Sequence, residues 1–258
     1  MEGVLTGLDG DPEVVQTDDL GCITGDIAII TTQDFEIAAA VGALVGKTRD
    51  LRAVFHTSGS KPSTILSDLR QGRCQIGSIH PLVAVPRPDL GPERFKDAYF
   101  CIEGDPGAAK IATQMATDLG GRPFAVDTKY KVLYHAAAVT AAGHVVALFD
   151  AAVEIMTKCG LSAEESKAIL LPLVDSSVRN LESQSNAQAL TGTFARADTE
   201  TLTSHLTALN ESVSDDLLEL YLLLGERSLE LAAKQGISAE RIEMMRAKVA
   251  IAKSKLKW

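Results

Sequence analysis

Cysteine is scarce in this chain, and what there is does not pair by spacing. Four cysteines occur in 258 residues, Cys22, Cys74, Cys101 and Cys159, far apart and without a CxxC motif. With an acidic N-terminus that carries no signal-like run, they are expected to be reduced thiols of a cytoplasmic protein. Zinc spacing, a Walker loop and a nucleophile elbow are also missing, so no metal site is expected. Basic runs are lacking too. Lys and Arg number 25 against 34 Asp and Glu, a net charge of −9 that argues against a nucleic-acid partner. The closing lysines, Lys253, Lys255 and Lys257, suit the negative end of a helix dipole. No membrane span is expected: the uncharged stretch Ala136–Phe149 is interrupted by His144, and a span needs about 20 apolar residues. It reads instead as a helix buried among other helices.

What is present is an ordinary globular composition, 46% apolar and 23% charged, in a length that fits one large domain or two smaller ones. After a turn-rich start with a weak strand at Val4–Leu5, apolar β-branched runs alternate with helix-like segments. Strands are expected at 26–31, 52–56, 75–79, 98–103 and 123–126, and helices at 34–45, 62–70 and 106–119. The segment Pro86–Pro92 reads as a loop. The alternation implies βαβ units and a mainly parallel sheet. From Thr128 the pattern becomes helical throughout, with helices expected at 128–159, 162–180, 198–210, 213–234 and 238–255. Thr128–Cys159 holds no proline and a single glycine, Gly143, and should form one long helix. Ser162 with Glu165 spells a capping box, and Ser238 reads as a cap. The expected architecture is α/β followed by all-α, with a Rossmann-like domain over 1–127 and a helical domain over 128–258.

Ligands of open α/β sheets bind beyond the carboxyl ends of strands. Three such ends carry polar residues: Thr31-Thr32-Gln33-Asp34, His56-Thr57-Ser58-Gly59 and Ser78-Ile79-His80-Pro81. Asp34 is expected to cap a helix. Thr57 and Ser58 either satisfy turn amides or, with Gly59, let a ligand approach closely. Lys131 and His135, spaced i, i+4, share a helical face that small Ala138 and Ala142 continue. They are either a solvated first turn or a proton-handling pair in which lysine discourages charge on histidine. Arg196, in ALTGTFARAD, could hold an anion or pair with Asp198.

Together, HTSG (56–59), GSIHPL (77–82), AYFCIEGD (98–105), YHAAAV (134–139), LLPLV (170–174) and ALTGTFARAD (189–198) resemble one set of motifs. They resemble the family of NADP-dependent oxidoreductases with a Rossmann-like N-terminal domain and a C-terminal domain of unknown function. The helical half is similar to that of 6-phosphogluconate dehydrogenase, within the β-hydroxyacid dehydrogenase superfamily. The resemblance implies Lys131 and His135 as catalytic residues, and Ser58, His80 and Arg196 as substrate-binding ones. It implies cofactor contacts at Thr31, Thr57, Ser58 and Gly59, NADP or NAD as cofactor, a small carbonyl or hydroxy substrate, and a homodimer through the helical half. One departure stands out. The fingerprint G-x-G-x-x-G is absent, since Gly7 and Gly10 do not form it. The chain is therefore expected to be an N-terminally shortened enzyme with an exposed sheet edge at Ile27, Ile29 and Ile30. The alternative is a non-catalytic dimeric ligand-binding or scaffold protein that has lost its cofactor site.

Overall fold

A computed structural model describes residues 3–6, 13–16, 23–70, 72–84 and 92–256. Gly7, Gly10 and the loop positions 86–91 lie outside the described residues. Two compact units form, Met1–Val145 and Val146–Trp258. The expected boundary at 127/128 falls inside the first unit.

Nine strands are described: β1 (Gly3–Thr6), β2 (Glu13–Gln16), β3 (Ile23–Thr24), β4 (Ile27–Ile30), β5 (Thr48–Arg49), β6 (Ala53–His56), β7 (Gln75–Leu82), β8 (Tyr99–Gly104) and β9 (Arg122–Ala125). Seven form a sheet in the order β2-β1-β4-β6-β7-β8-β9, while β3 and β5 pair separately. The joins β4–β6, β6–β7 and β8–β9 are parallel. The join β7–β8 is antiparallel, so the sheet is more mixed than expected. Among the described residues the β7–β8 link holds a 3-10 turn at Pro92–Phe95 and no α-helix of the kind that usually carries a parallel crossover. β7 also runs past the expected end, carrying His80, Pro81 and Leu82 along β8.

The β4 edge expected to be bare is covered. β1 lies antiparallel on it, pairing Val4 with Ile30 and Leu5 with Ile29, and β2 returns antiparallel on β1. That pairing satisfies the backbone groups a bare edge would expose.

Alternation along the strands builds a core on each face. On one face Ala28, Ile30, Val54 and Ile76 meet helix α1 (Ile37–Leu44) and the segment Ser63–Leu69. On the other Ile27, Ala53, Phe55 and Ile102 meet α2 (Pro106–Asp118), whose Ala108, Ala112 and Ala116 recur every four residues. The expected helix at 62–70 is a 3-10 helix instead. Its buried residues, Ser63, Leu66 and Leu69, recur every third position, which matches three residues per turn.

The remaining helices are α3 (Lys131–Ala141), α4 (Gly143–Thr157), α5 (Ala163–Ser183), α6 (Asn186–Ala189), α7 (Gly192–Ala195), α8 (Thr199–Ser212), α9 (Asp215–Lys234) and α10 (Ala239–Lys253). The single helix expected at 128–159 is interrupted at Ala142, where φ is −118° and ψ −71°, just before Gly143. Glycine is the weakest helix former short of proline, so the break falls where propensity is lowest. Ser162 and Glu165 form the capping box in full, whereas Ser238 makes no side-chain cap bond. Leu202, Leu222, Leu229, Met245 and Val249 are fully buried among α8, α9 and α10.

One expectation about the long helical segment fails. Thr128–Thr157 is 30 residues long, and its most apolar stretch is only 6% buried, so neighbouring helices of the same chain do not bury it. By length and composition it could cross a membrane. Val132, Leu133, Val145, Val146 and Leu148 are all exposed.

Candidate functional site

The carboxyl ends of β4, β6 and β7 bring the polar strand ends together beneath the first turns of α3. His56 ends β6 in register with Ser78 of β7 and with Ile30 of β4. It is fully buried, and its Nδ1 accepts the Ser58 backbone N–H at 3.2 Å. Burial, reinforced by the nearby Lys131 charge, pushes its pKa down to about 4.

Ser58 is committed to the turn. Its hydroxyl oxygen accepts the N–H groups of Ser60 (3.1 Å) and Lys61 (2.9 Å), the turn-forming alternative of the two raised by the sequence. Thr31 and Thr57 are half-buried at their strand ends. Asp34 does not cap α1, which starts after Glu36. Its carboxylate accepts the Ser60 hydroxyl at 2.6 Å, clamping the β4 and β6 loops together. Burial opposes the Asp34 charge, but the hydrogen bonds from Ser60 and Ser58 outweigh it and lower the pKa.

Lys131 enters this cluster from the first turn of α3 and is fully buried. Its Nζ donates to Ser78 Oγ and, at 3.4 Å, to Glu103 Oε2. Glu103 also accepts the Ser63 N–H at 2.9 Å and the hydroxyls of Ser63 and Thr128, each at 2.7 Å. Burial raises the Glu103 pKa, yet these donors outweigh it and the carboxylate stays ionised. Desolvation pulls the Lys131 pKa down, opposed by Glu103. So Lys131 is neither a solvated lysine nor an open one.

His80, Tyr134 and His135 form the more accessible layer, all half-buried. His80 Nδ1 lies 2.7 Å from the Tyr134 hydroxyl, and its ring meets those of Tyr134 and His135 edge-on, each at 5.8 Å. Burial first, then the charges of His135 and Lys131, lower His80 to about 4. Burial raises Tyr134, aided by Cys101. At neutral pH this layer therefore holds a neutral imidazole hydrogen-bonded to a neutral phenol. Gly59 makes the packing possible. A Cβ there would sit 2.4 Å from His135 Cδ2 and 2.8 Å from His80 Nε2.

The arrangement unites His80, Lys131, His135, Thr31, Thr57, Ser58 and Gly59 in one unit. Arg196 belongs to the second unit, exposed beside Arg241, whose guanidinium donates to the Arg196 carbonyl at 2.6 Å. Asp198 caps α8 by accepting the Thr201 N–H and hydroxyl. Sequence reasoning named Ser78 only as part of a polar strand end and gave no role to Glu103 or Tyr134. Glu103 had a usable signal, a lone acid closing the apolar run Tyr99–Ile102 within β8, because a charge there needs a buried partner.

A dinucleotide needs its pyrophosphate held at a glycine turn leading from a strand into a helix N-terminus. Among the described residues the strand on the outer side of β4, away from β6, is β1, and it pairs back on β2. The turn from β4 into α1 holds no glycine. The described residues therefore do not fit a pyrophosphate cradle.

Among the described residues no group of three or more His, Cys, Asp or Glu could hold a metal ion. A family profile described as Domain of unknown function (DUF2520) matches residues 98–228, half of the chain. The fold is similar to that of a Thermotoga maritima protein, with a TM-score of 0.68, 24% identity, and 81% of this chain and 79% of that one covered. It is also similar to a Bacteroides fragilis protein provisionally named an NADP oxidoreductase. There the TM-score is 0.67 and identity 22%, with 83% and 79% covered. No curated protein matches the chain.

Proposed function

The chain belongs to the DUF2520 family, and from that premise we propose that it is an NADP- or NAD-dependent oxidoreductase acting on a small carbonyl or hydroxy compound. The supporting observation is the layered cluster at the strand ends, with the His80–Tyr134 hydrogen bond in front and the buried Lys131 behind. Tyr134 and His135 lie with His80 in the half-buried outer layer, the side from which we propose that a ligand is met. Tyr134, bonded to His80, can give or take a proton at a substrate oxygen. Lys131 acts from behind as a fixed positive charge that helps keep His80 and His56 neutral. Because the described residues do not fit the dinucleotide pyrophosphate, no step is assigned to the cofactor.

The second reading, a non-catalytic ligand-binding protein, is favoured by the β1–β2 pairing that occupies the β4 edge. Fluorescence titration with NADPH and NADH separates the two. Saturable binding, with turnover lost in Tyr134→Phe and binding kept, supports the oxidoreductase. Absence of binding by either nucleotide removes it.

We also infer that the working form is a homodimer. On α5, Ile169 and Leu173 are exposed on one face, with Leu171, Val178 and Leu181 exposed around the rest of the helix, and exposed apolar side chains of this size suit an interface. The Asp175–Arg179 ion pair on the same helix suits a protein partner better than lipid.

A further inference from the structure

The first unit has a concavity at the opposite end of the sheet from the histidine cluster. It is a cavity of about 890 Å³ at the amino ends of β6 and β7, within the size range of small-molecule sites. Its lining departs from the character of the chain. Overall, acids outnumber bases 34 to 25, yet here Arg52, Arg73 and Lys110 face a single acid, Asp50.

The other nearby carboxylates are already engaged, and Asp50 is outnumbered by the three cations of the lining. Asp105 is held by Arg70 at 2.6 Å and by the Ile76 N–H at 3.0 Å, and Asp26 faces Arg52 at 3.8 Å. Arg73 and Lys110 have neither an ion pair nor a hydrogen bond among the described residues, so their charge is available to a ligand. Between the cations the wall is apolar, formed by Leu51, Leu69 and Ile111. Gln75 shapes the floor. Its Oε1 accepts the Ala108 N–H at 3.1 Å, an approach that the missing Cβ of Gly107 permits.

A cavity with two unpaired cations and an apolar wall matches a molecule with an anionic head and an apolar body. Its volume far exceeds that of a lone phosphate. We propose that this cavity binds a small organic phosphate, with Arg73 and Lys110 gripping the phosphate and Leu51, Leu69 and Ile111 covering the carbon skeleton. The site is separate from the His80–Tyr134 cluster and does not depend on the oxidoreductase reading.

Calorimetric titration of the full chain with phenyl phosphate tests this, because that probe has both halves of the expected ligand. Saturable binding is expected, weakened about tenfold or more in Arg73→Gln/Lys110→Gln, the loss typical of charge-assisted bonds. Binding should fall with added salt and be unchanged in His80→Ala. Both substituted residues are exposed, so the variant should melt as the parent does; if it does not, the single changes Arg73→Gln and Lys110→Gln replace it. Absence of binding, binding insensitive to these substitutions, or binding lost in His80→Ala instead would overturn the proposal.

Discussion

The ammonium of Lys131 lies 3.4 Å from the carboxylate of Glu103, and each side chain is only 1% exposed. The pair ties the first turn of α3 to β8, so the start of the helical run is anchored in the sheet. Such a pair is costly to break because the survivor stays buried without its counter-charge.

The two partners are not equivalent, and the asymmetry can be measured. Glu103 keeps three other donor groups, the Ser63 N–H and the hydroxyls of Ser63 and Thr128. Among the described residues Lys131 has only the Ser78 hydroxyl besides Glu103. Glu103→Gln should therefore cost about 3–5 kcal/mol, and Lys131→Met distinctly less. Urea denaturation of both variants and of the double variant checks this, with the double variant recovering part of the Glu103→Gln loss. Equal costs would mean that the hydrogen bonds to Glu103 do not share its charge.

Acid should destabilise the protein through its buried His56 and half-buried His80. His56 and His80 have folded-state pKa values of about 4 against an ordinary 6.5. Between these values the unfolded chain binds more protons, so stability rises with pH across that window. It is fully present above about 6.5 and lost as pH falls towards 4. Glu103, lowered in the folded state, adds a loss in the same direction at more acid pH. Melting temperatures at stepped pH should follow this slope, and His56→Gln should flatten it. A profile unchanged in His56→Gln would show that this histidine is not the titrating group.

The sequence made the strand ends and the shared face of Lys131 and His135 visible, because both follow from periodicity. It did not make Glu103 visible as the partner of Lys131, since that pairing depends on where a strand and a distant helix meet. The β7–β8 reversal was hidden for a related reason: Gln75–Ile79 reads as a strand whichever way its neighbour runs. The cover on β4 was hidden because Val4–Leu5 is too short to carry a pattern. Asp34 illustrates competition between local and tertiary bonding. A helix cap was the local option, and the Ser60 hydroxyl from the next loop took the carboxylate instead.

Gly59 is needed for space. No left-handed backbone is involved there, yet a methyl group would meet the rings of His135 and His80. Gly59→Ala should push the two imidazoles apart, stretch the His80–Tyr134 hydrogen bond and cost about 1–3 kcal/mol as an overpacked site. Thermal unfolding reads the cost, and histidine ring NMR shifts read the displacement. Shifts confined to residue 59, with no change at His80 or His135, would contradict the packing.

The exposed pair Ile169 and Leu173 on α5 yields the last prediction. Ile169 and Leu173 are 54% and 64% exposed, and their i, i+4 spacing places them on one face. In a twofold dimer the same patch serves both subunits, so each substitution acts twice. Ile169→Glu/Leu173→Glu should therefore convert a dimer to a monomer in sedimentation velocity. Because both side chains are largely solvent-exposed within one chain, the far-UV circular dichroism of the monomer should match the parent. A parent that sediments as a monomer over a wide concentration range would refute the interface. A variant that stays dimeric would move it off this face, leaving the exposed Val132, Leu133 and Val146 of the preceding helices as the next surface to test.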